Sequence, residues 1–216
     1  MSDSLQIYTL TLGFLQTNCY IVVDDQTQKG VVIDPADEGD YIVQFIREHH
    51  WEVNQILLTH GHFDHVGGID PIKKELGAKI WIHEKDALML EDPGKNLSFL
   101  MEGGGLFQRA DGFLEEGRSI VFGTGKLDII HTPGHTPGGV SFIGDHFVFA
   151  GDTLFRNSVG RTDFPYSSGT QLVESIQKKL FALSDDFTVY PGHGPETTIG
   201  REKSKNPFVS QNRSCI

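Results

Sequence analysis

The chain has 216 residues, with 29 acidic and 18 basic side chains, which gives a formal net charge of -11 at pH 7 with histidine neutral. This charge argues against nucleic acid as a partner, because nucleic-acid binding draws mainly on clustered Lys and Arg. Residues 1–20 lack the basic start and unbroken apolar stretch of a signal peptide, and no run reaches membrane-spanning length, so we expect a cytoplasmic protein without a membrane partner.

The first half of the chain alternates strand-like and helical patterns. Runs of apolar and β-branched residues predict strands at residues 6–12, 20–23, 31–33, 56–58 and 78–82. Apolar side chains at helical spacing predict a helix over residues 39–50. A shorter helix is predicted to begin at Asp70 and Pro71, with Asp70 as its N-cap, and to end at Gly77.

The second half begins with a region of weak patterning. Residues 92–117 are rich in Gly and Phe with little periodicity, which predicts a long loop over the surface or over a site. Further strands are predicted at residues 119–122, 127–131, 140–143, 147–150 and 188–190. After a loop at 151–167, an apolar helix stripe is formed by Leu172, Val173, Ile176, Leu180 and Leu183.

Strands, helix and strand follow one another in both halves of the chain. This order suggests two sheets packed face to face with helices on the outer faces. We therefore predict an α+β fold, a four-layer αββα sandwich. No stretch has linker composition, so residues 1–216 are expected to form a single domain.

A dense set of metal-capable side chains directly follows the predicted strand 56–58. Imidazole and carboxylate are the ligands that borderline divalent metals prefer. His60 and His62, two residues apart on an extended loop, can point the same way. Asp64 and His65 begin the turn toward the next helix and can face a second ion nearby. One cluster could thus supply ligands to two metals.

Three more candidate ligands share one setting, a Gly or Pro turn directly after an apolar strand. They are His135, Asp152 and His193. Taken alone, each of the three is explained equally well as an ordinary turn residue. The evidence for metal binding is that the same setting occurs three times. The other histidines are assigned no chemistry, although His131 lies near enough to His135 in sequence to support a ligand.

These residues closely resemble the signature of the metallo-β-lactamase superfamily. Its Thr-His-x-His-x-Asp-His motif is matched by residues 59–65, and its later ligands by the three turn residues. The resemblance implies a first metal held by His60, His62 and His135, a second held by Asp64, His65 and His193, and Asp152 as the bridge between them. It implies two divalent cations per chain, with zinc the first expectation on ligand type and iron or manganese open.

Within the superfamily, residues 151–155, 160–164 and 190–194 look like the glyoxalase II branch, the hydroxyacylglutathione hydrolases, and in particular its short members. Longer members carry a C-terminal helical domain that helps to bind glutathione, for which too few residues follow His193. The resemblance implies hydrolysis of thioesters of the S-D-lactoylglutathione type by a metal-bridging hydroxide. Asp64 is the expected catalytic residue, because it could also orient the water.

Four basic residues lie nearest these motifs in sequence, and some are expected to meet the carboxylates of an anionic acyl-thiol carrier such as glutathione. They are Arg156, Arg161, Arg201 and Lys203. Solvated charges, or a salt bridge between Arg161 and Asp163, are an equal alternative. The substrate is thus expected to be a small molecule, and self-association of the chain stays open.

Other functions remain as alternatives. Persulfide dioxygenases resemble the chain at residues 160–164 and hold a single iron through two His and one Asp, so metal stoichiometry separates them from a two-metal hydrolase. Lactonase or β-lactamase activity stays open, because the same hydroxide attacks esters and amides. A non-enzymatic metal-binding module is a weaker alternative, since it has no need for a bridging carboxylate, and a nuclease of the superfamily lacks its basic surface.

Overall fold

The computed structural model describes residues 5–101 and 104–209. The strands of its first half are β1 (Leu5–Leu12), β2 (Thr17–Asp24), β3 (Lys29–Ile33), β4 (Glu52–Leu57), β5 (Lys79–His83) and β6 (Gly112–Leu114). Those of its second half are β7 (Ser119–Phe122), β8 (Gly125–His131), β9 (Val140–Ile143), β10 (Phe147–Gly151), β11 (Leu154–Phe155), β12 (Ser158–Val159), β13 (Thr188–Pro191) and β14 (Thr197–Thr198). The α-helices are α1 (Gly39–Glu48), α2 (Phe63–Val66), α3 (Ile69–Leu76), α4 (Gly169–Lys178) and α5 (Ile199–Lys205).

The first sheet contains β1 to β6 in chain order. The neighbours β1, β2 and β3 are antiparallel, whereas β3, β4, β5 and β6 are parallel to one another. Because parallel strands end at the same edge of a sheet, the loops that follow β3 and β4 leave this sheet side by side. The loop after β4 is the one that carries the clustered histidines.

The second sheet has the strand order β14, β13, β10, β9, β8, β7. Strands β10 and β13 are parallel, and the other neighbours are antiparallel. Strand β8 runs in the same direction as β10, since both are antiparallel to β9. The loops after β8, β10 and β13, which contain the three turn candidates, therefore lie at one edge of the sheet.

Three apolar clusters separate the four layers. One, between the first sheet and helices α1 and α3, includes Ile42 and Ile69. A second, between the two sheets, includes Leu57 and Phe149, and a third, between the second sheet and α4, includes Leu172. Full burial of such a side chain contributes about 1.5–3 kcal/mol to folding. The order helix, sheet, sheet, helix confirms the predicted αββα sandwich.

Helix α3 begins earlier than the sequence predicts. Its first residue is Ile69 and no side-chain hydrogen bond caps it, so the prediction of Asp70 as N-cap is wrong. The preceding Gly68 packs tightly, because a Cβ there would lie 2.3 Å from the carbonyl oxygen of Pro35. The turn immediately before Ile69 therefore has no room for a side chain at this position. Gly77, in the left-handed conformation with φ 68°, ends the helix as predicted.

The segment 92–117 is more structured than predicted. It contains a short 3-10 helix at Ser98–Leu100 and the edge strand β6. In β6, Gly112 pairs with Trp81 of β5, and a Cβ on that glycine would fall 2.2 Å from the indole ring. A three-residue strand that begins with glycine is too short to show a periodic pattern, which is why the sequence indicates only a loop.

Four further elements in the second half of the described chain are not predicted from the sequence. The loop 151–167 contains the hairpin of β11 and β12, and the last predicted strand is followed by β14 and α5. The Thr198 hydroxyl accepts a hydrogen bond from the Arg201 backbone N–H at 3.2 Å and so caps α5. Within the described ranges, none of the helices combines the length and the apolar character needed to cross a bilayer.

Candidate metal centre

Four candidate ligands follow β4, two on an extended loop and two on a helix. His60 and His62 follow β4, and His62 is the extended residue immediately before α2. Asp64 and His65 lie in the single turn of α2. The extended loop turns directly into a helix here, so four ligands separated by only a few residues can face a common space from two directions.

The second sheet brings the other three candidates to the same place. His135 follows β8, Asp152 follows β10 and His193 follows β13. The Gly192 N–H donates to the Gly151 carbonyl at 2.8 Å, which holds the two parallel strand ends together. A Cβ on Gly192 would lie 2.2 Å from Asp152 Oδ1, so only glycine leaves room for that carboxylate.

The imidazole and carboxylate atoms form two adjacent sets. In the first, the ligand atoms of His60, His62 and His135 lie within 4.8 Å of one another, and His62 Nδ1 is 2.9 Å from His135 Nε2. In the second, Asp64 Oδ2 lies 3.2 Å from His193 Nε2 and 3.6 Å from His65 Nε2. Ligand atoms around one tetrahedral ion, bound at about 2.0–2.2 Å, are separated by similar distances.

The Asp152 carboxylate lies between the two sets. Its Oδ2 is 3.6 Å from His135 Nε2 and 3.7 Å from His193 Nε2, and its Oδ1 is 3.3 Å from His65 Nε2. One carboxylate thus reaches a histidine of the first set and both histidines of the second. This is the geometry required of a ligand shared by two cations.

Unpartnered atoms test whether these residues fit a metal. His60 Nε2, His65 Nε2 and Asp152 Oδ1 are buried and have no hydrogen-bond partner among the described residues. Leaving a buried polar atom unpaired costs about 1–3 kcal/mol, so three of them converging on one space indicate a missing ligand. Their chemistry, imidazole nitrogen and carboxylate oxygen, fits zinc, iron or manganese. The residues present therefore fit a two-cation centre.

Charge at the centre favours the metal-binding protonation states of two histidines and the carboxylate. Burial lowers the pKa of His60, and the surrounding histidines lower it further. Burial and His135 lower the pKa of His62 to about 3. Burial acts to raise the pKa of Asp152, but His65, His135 and His193 together hold it below the usual range. Neutral imidazole and ionised carboxylate are the forms that bind cations.

His65 behaves differently from its neighbours. Burial acts to lower its pKa, but the carboxylates of Asp152, Asp64 and Asp34 raise it well above the usual range. The three carboxylates therefore favour the protonated form of His65, and a metal that binds Nε2 would compete with that proton.

Asp34 is a member of the centre that the sequence analysis missed. It follows β3, is buried, and its Oδ2 accepts a hydrogen bond from His65 Nδ1 at 2.9 Å. The Thr59 N–H and hydroxyl also donate to this carboxylate, at 2.7 and 2.6 Å. Although Asp34 could join His60 and His65 in a third ligand set, Oδ2 already accepts from His65 Nδ1, so its role is to aim His65 Nε2. The signal that could have found it is the setting shared with Asp152, an acidic residue directly after an apolar strand.

A cavity of about 670 Å³, the main cavity, opens above the two ligand sets. Eight apolar side chains line it: Phe14, Leu15, Phe63, Leu97, Leu100, Met101, Phe155 and Phe164. His62, Asp64, His135, Asp152 and His193 form its polar base, with Arg161 at the wall. Part of the segment 92–117 thus borders the candidate centre.

Of the four basic residues suggested for substrate binding, only Arg161 lines the main cavity. Its guanidinium donates to both Asp163 carboxylate oxygens, at 3.0 and 2.7 Å, and lies 4.3 Å from the centre of the Phe164 ring. Arg156, Arg201 and Lys203 are outside the lining. Sequence proximity to a motif does not determine where a long side chain points.

Three of the suggested residues contact groups outside the candidate centre: Arg201, Lys203 and His131. Arg201 Nη1 donates to the buried Glu202 at 2.6 Å, and Lys203 Nζ donates to Asp185 at 2.6 Å. His131 stacks on His83 with ring centres 4.3 Å apart, and its Nε2 lies 3.0 Å from the Pro137 carbonyl oxygen. The suggested support of His135 by His131 therefore does not match its observed contacts.

Comparisons with known proteins agree with this geometry. The family model described as the metallo-beta-lactamase superfamily matches residues 12–193. The chain is 37% identical over 211 residues to hydroxyacylglutathione hydrolase GloC of Haemophilus influenzae, a match that covers 95% of this chain and 99% of that protein.

Two solved structures are similar over most of the chain. BLEG-1 B3 metallo-beta-lactamase superposes with a TM-score of 0.89 at 36% identity, covering 94% of this chain and 99% of that one. The di-iron-bound form of TTHA1623 superposes with a TM-score of 0.83 at 37% identity, covering 94% and 100%. With the matched family model and the two-part histidine and aspartate cluster, these similarities establish that the chain belongs to the metallo-β-lactamase superfamily.

Proposed function

We propose that this metallo-hydrolase cleaves thioesters of the hydroxyacylglutathione type, with two cations held by the seven ligands described above. The observation that carries the proposal is Asp152, whose carboxylate lies within 3.7 Å of histidines from both ligand sets. The name of the Haemophilus influenzae relative, hydroxyacylglutathione hydrolase GloC, supports the choice of substrate class.

The seven ligands are proposed to supply the nucleophile through the cations they hold. Two bound cations would lower the pKa of a shared water from about 16 toward neutrality and so provide hydroxide at cellular pH. Asp64 is the proposed catalytic residue, because its Oδ2 faces the main cavity beside His193. The Thr17 hydroxyl, which donates to that Oδ2 at 3.2 Å, fixes the carboxylate so that it can orient a water proton.

The remaining groups act on the substrate. The apolar walls of the main cavity exclude bulk water and so strengthen electrostatic interactions at its base. Arg161 is the only Lys or Arg side chain that lines this cavity within the described ranges, so it is the proposed contact for a carboxylate of the thiol carrier. A thiolate is a good leaving group, which removes the need for a strong general acid at its sulfur.

A second candidate activity, β-lactam hydrolysis, is favoured by the similarity to BLEG-1 B3 metallo-beta-lactamase. The proposed nucleophile would attack an amide as well as a thioester. For the metal, zinc is the proposal from ligand type, and the di-iron form of TTHA1623 supports iron as the alternative.

The decisive experiment combines metal analysis with three assays. Protein purified without added metal is analysed for zinc, iron and manganese, and its hydrolysis of S-D-lactoylglutathione and of a chromogenic cephalosporin is measured beside oxygen uptake with glutathione persulfide. We expect two metals per chain and thioester hydrolysis. One iron per chain with oxygen uptake would instead identify a persulfide dioxygenase, and cephalosporin hydrolysis without thioesterase activity would identify a β-lactamase.

A further inference from the structure

A second cavity of about 170 Å³, here called the side cavity, lies beside Asp64. Its apolar walls include Leu12, Ala36, Phe63 and Phe107. It shares wall residues with the main cavity, namely Phe14, Leu15, Phe63, Asp64 and Met101. The wall shared by the two cavities therefore includes the carboxylate proposed to orient the attacking water, near which the reacting carbonyl is expected to bind.

The side cavity is lined mainly by apolar side chains and glycines, and its polar side chains are Thr17, Asp37, Asp64 and Ser98. Leu12 and Ala36 are buried core residues, and Phe107 packs against the same core. The Ser98 hydroxyl donates to the Gly105 carbonyl at 3.2 Å and accepts from the Gly105 N–H at 2.7 Å, so its O–H is already used. A ligand that fills this space gains mainly by burying apolar surface.

We propose that the side cavity binds an apolar acyl group of the thioester substrate. This inference rests on the proposed thioester hydrolysis and names the acyl class that the site selects. The acyl chain and the thiol carrier are the two substituents of the reacting carbonyl, so they must extend from it in different directions beside Asp64. Biological thiol carriers are polar beyond the sulfur, so the carrier extends along the main cavity toward Arg161. The acyl group then binds in the side cavity, whose apolar walls suit alkyl or aryl groups larger than lactoyl.

A series of S-acylglutathiones tests the acyl class, because the thiol carrier stays constant. The metal-loaded protein is assayed with the S-D-lactoyl, S-butanoyl and S-hexanoyl derivatives. Each methylene that the cavity buries should raise kcat/KM about fourfold, which corresponds to about 0.8 kcal/mol. We therefore expect S-hexanoylglutathione to exceed S-butanoylglutathione by about tenfold or more.

A charge placed in the shared wall should remove this preference. In Met101→Glu, the new carboxylate would face both cavities and disfavour an apolar chain, so the ratio of kcat/KM for S-hexanoyl to S-D-lactoyl substrates should fall about tenfold. Leu106→Glu adds the same charge in the same segment, at a residue that is 69% exposed and lines neither cavity. The control should keep the wild-type ratio.

The outcomes separate the two proposals. Equal kcat/KM across the acyl series, or a ratio unchanged by Met101→Glu, would overturn the acyl assignment while leaving thioester hydrolysis in place. Absence of hydrolysis for every thioester by protein with its full metal content would overturn the proposed function itself.

Discussion

Asp34 Oδ2 and His65 Nδ1 lie 2.9 Å apart in the buried interior, linking the end of β3 to helix α2. Since Nδ1 donates its proton to the carboxylate, Nε2 is the ring nitrogen that faces Asp64 and Asp152 and that would bind a cation. This hydrogen bond selects the tautomer of His65 and fixes its ring. Asp34 thus acts on the centre through His65 without needing to bind a cation.

Substitution of Asp34 should weaken metal binding at the second ligand set. In Asp34→Asn the amide can accept from only one side, so one of the donors from Thr59 or His65 loses its acceptor. Loss of such a support costs about 10- to 100-fold in metal affinity. Competition titration with a chromogenic chelator measures the affinity. Asp25→Asn, an exposed change on the turn after β2, is the control; equal affinities for both variants would contradict the prediction.

Removal of the shared carboxylate should remove one cation and the activity together. Asp152→Ala removes the carboxylate that lies near histidines of both ligand sets. We expect elemental analysis to give about half the wild-type metal content, with thioester hydrolysis lost. Asp163→Ala, which removes an exposed carboxylate, should keep both metals. An active Asp152→Ala variant with full metal content would overturn the bridging role.

Charge reversal at Arg161 tests the contact with the thiol carrier. Arg161→Glu should raise KM for S-D-lactoylglutathione about tenfold, because it replaces an attractive charge at the cavity wall by a repulsive one. The free energy of unfolding should change little, since the Arg161–Asp163 pair is exposed. Arg118→Glu reverses another exposed, paired arginine outside the cavity and should leave KM unchanged. Identical KM values in both variants would exclude Arg161 from binding.

Arg201 should matter for stability and not for KM. It donates to Glu202, which is fully buried and also accepts from Thr197 and Asn206. Arg201→Gln leaves that carboxylate without its charged partner, so the free energy of unfolding should fall by about 2 kcal/mol. Lys203→Gln, which removes a bond to an exposed aspartate, should cost less than about 1 kcal/mol. Urea unfolding measures both, and a raised KM in Arg201→Gln with unchanged stability would contradict the assignment.

The stacked His83–His131 pair should make stability depend on pH. Burial lowers the pKa of His83 to about 4, and His131 and Lys85 add to the shift. Between pH 4 and 6.5 the unfolded imidazole binds a proton that the folded one excludes. The stability that this site contributes is therefore complete above about pH 6.5 and is lost as pH falls toward 4.

The variant His83→Phe keeps an aromatic ring but cannot titrate. Loss of the hydrogen bond from the Lys85 N–H to His83 Nδ1 should lower its free energy of unfolding by the same amount at every pH. The difference in free energy of unfolding, variant minus wild type, should then rise steadily as pH falls from 6.5 to 4. Urea unfolding at several pH values measures the difference between the two proteins. A difference that does not change with pH would show that His83 titrates normally.

The fold and the clustering of the candidate ligands could be predicted because their signals are local. Each strand end is followed within a few residues by its candidate ligand, as for His135 after β8 and Asp152 after β10. Asp34 has the same setting after β3, but its role could not be assigned from the sequence, because its partner His65 is 31 positions away. That contact depends on the parallel pairing of β3 with β4, in which Ile33 lies opposite Leu57.

The sequence was a weaker guide to the substrate cavity. Proximity to motifs suggested Arg201 and Lys203, yet the buried Glu202 and the exposed Asp185 determine where these side chains point. The wall residues Leu97 and Leu100 belong to a segment without periodicity, so no pattern in the chain indicates which face they present. Short elements held by tertiary contacts leave little trace in sequence.

The central claim is that seven side chains from both sheets hold two cations around the Asp152 carboxylate. Anomalous diffraction from crystals of the protein as purified, recorded at the absorption edge of the metal found by elemental analysis, tests it most directly. We predict two anomalous peaks, one among His60, His62 and His135 and one among Asp64, His65 and His193, with Asp152 reaching both. A single peak, or peaks away from Asp152, would contradict it.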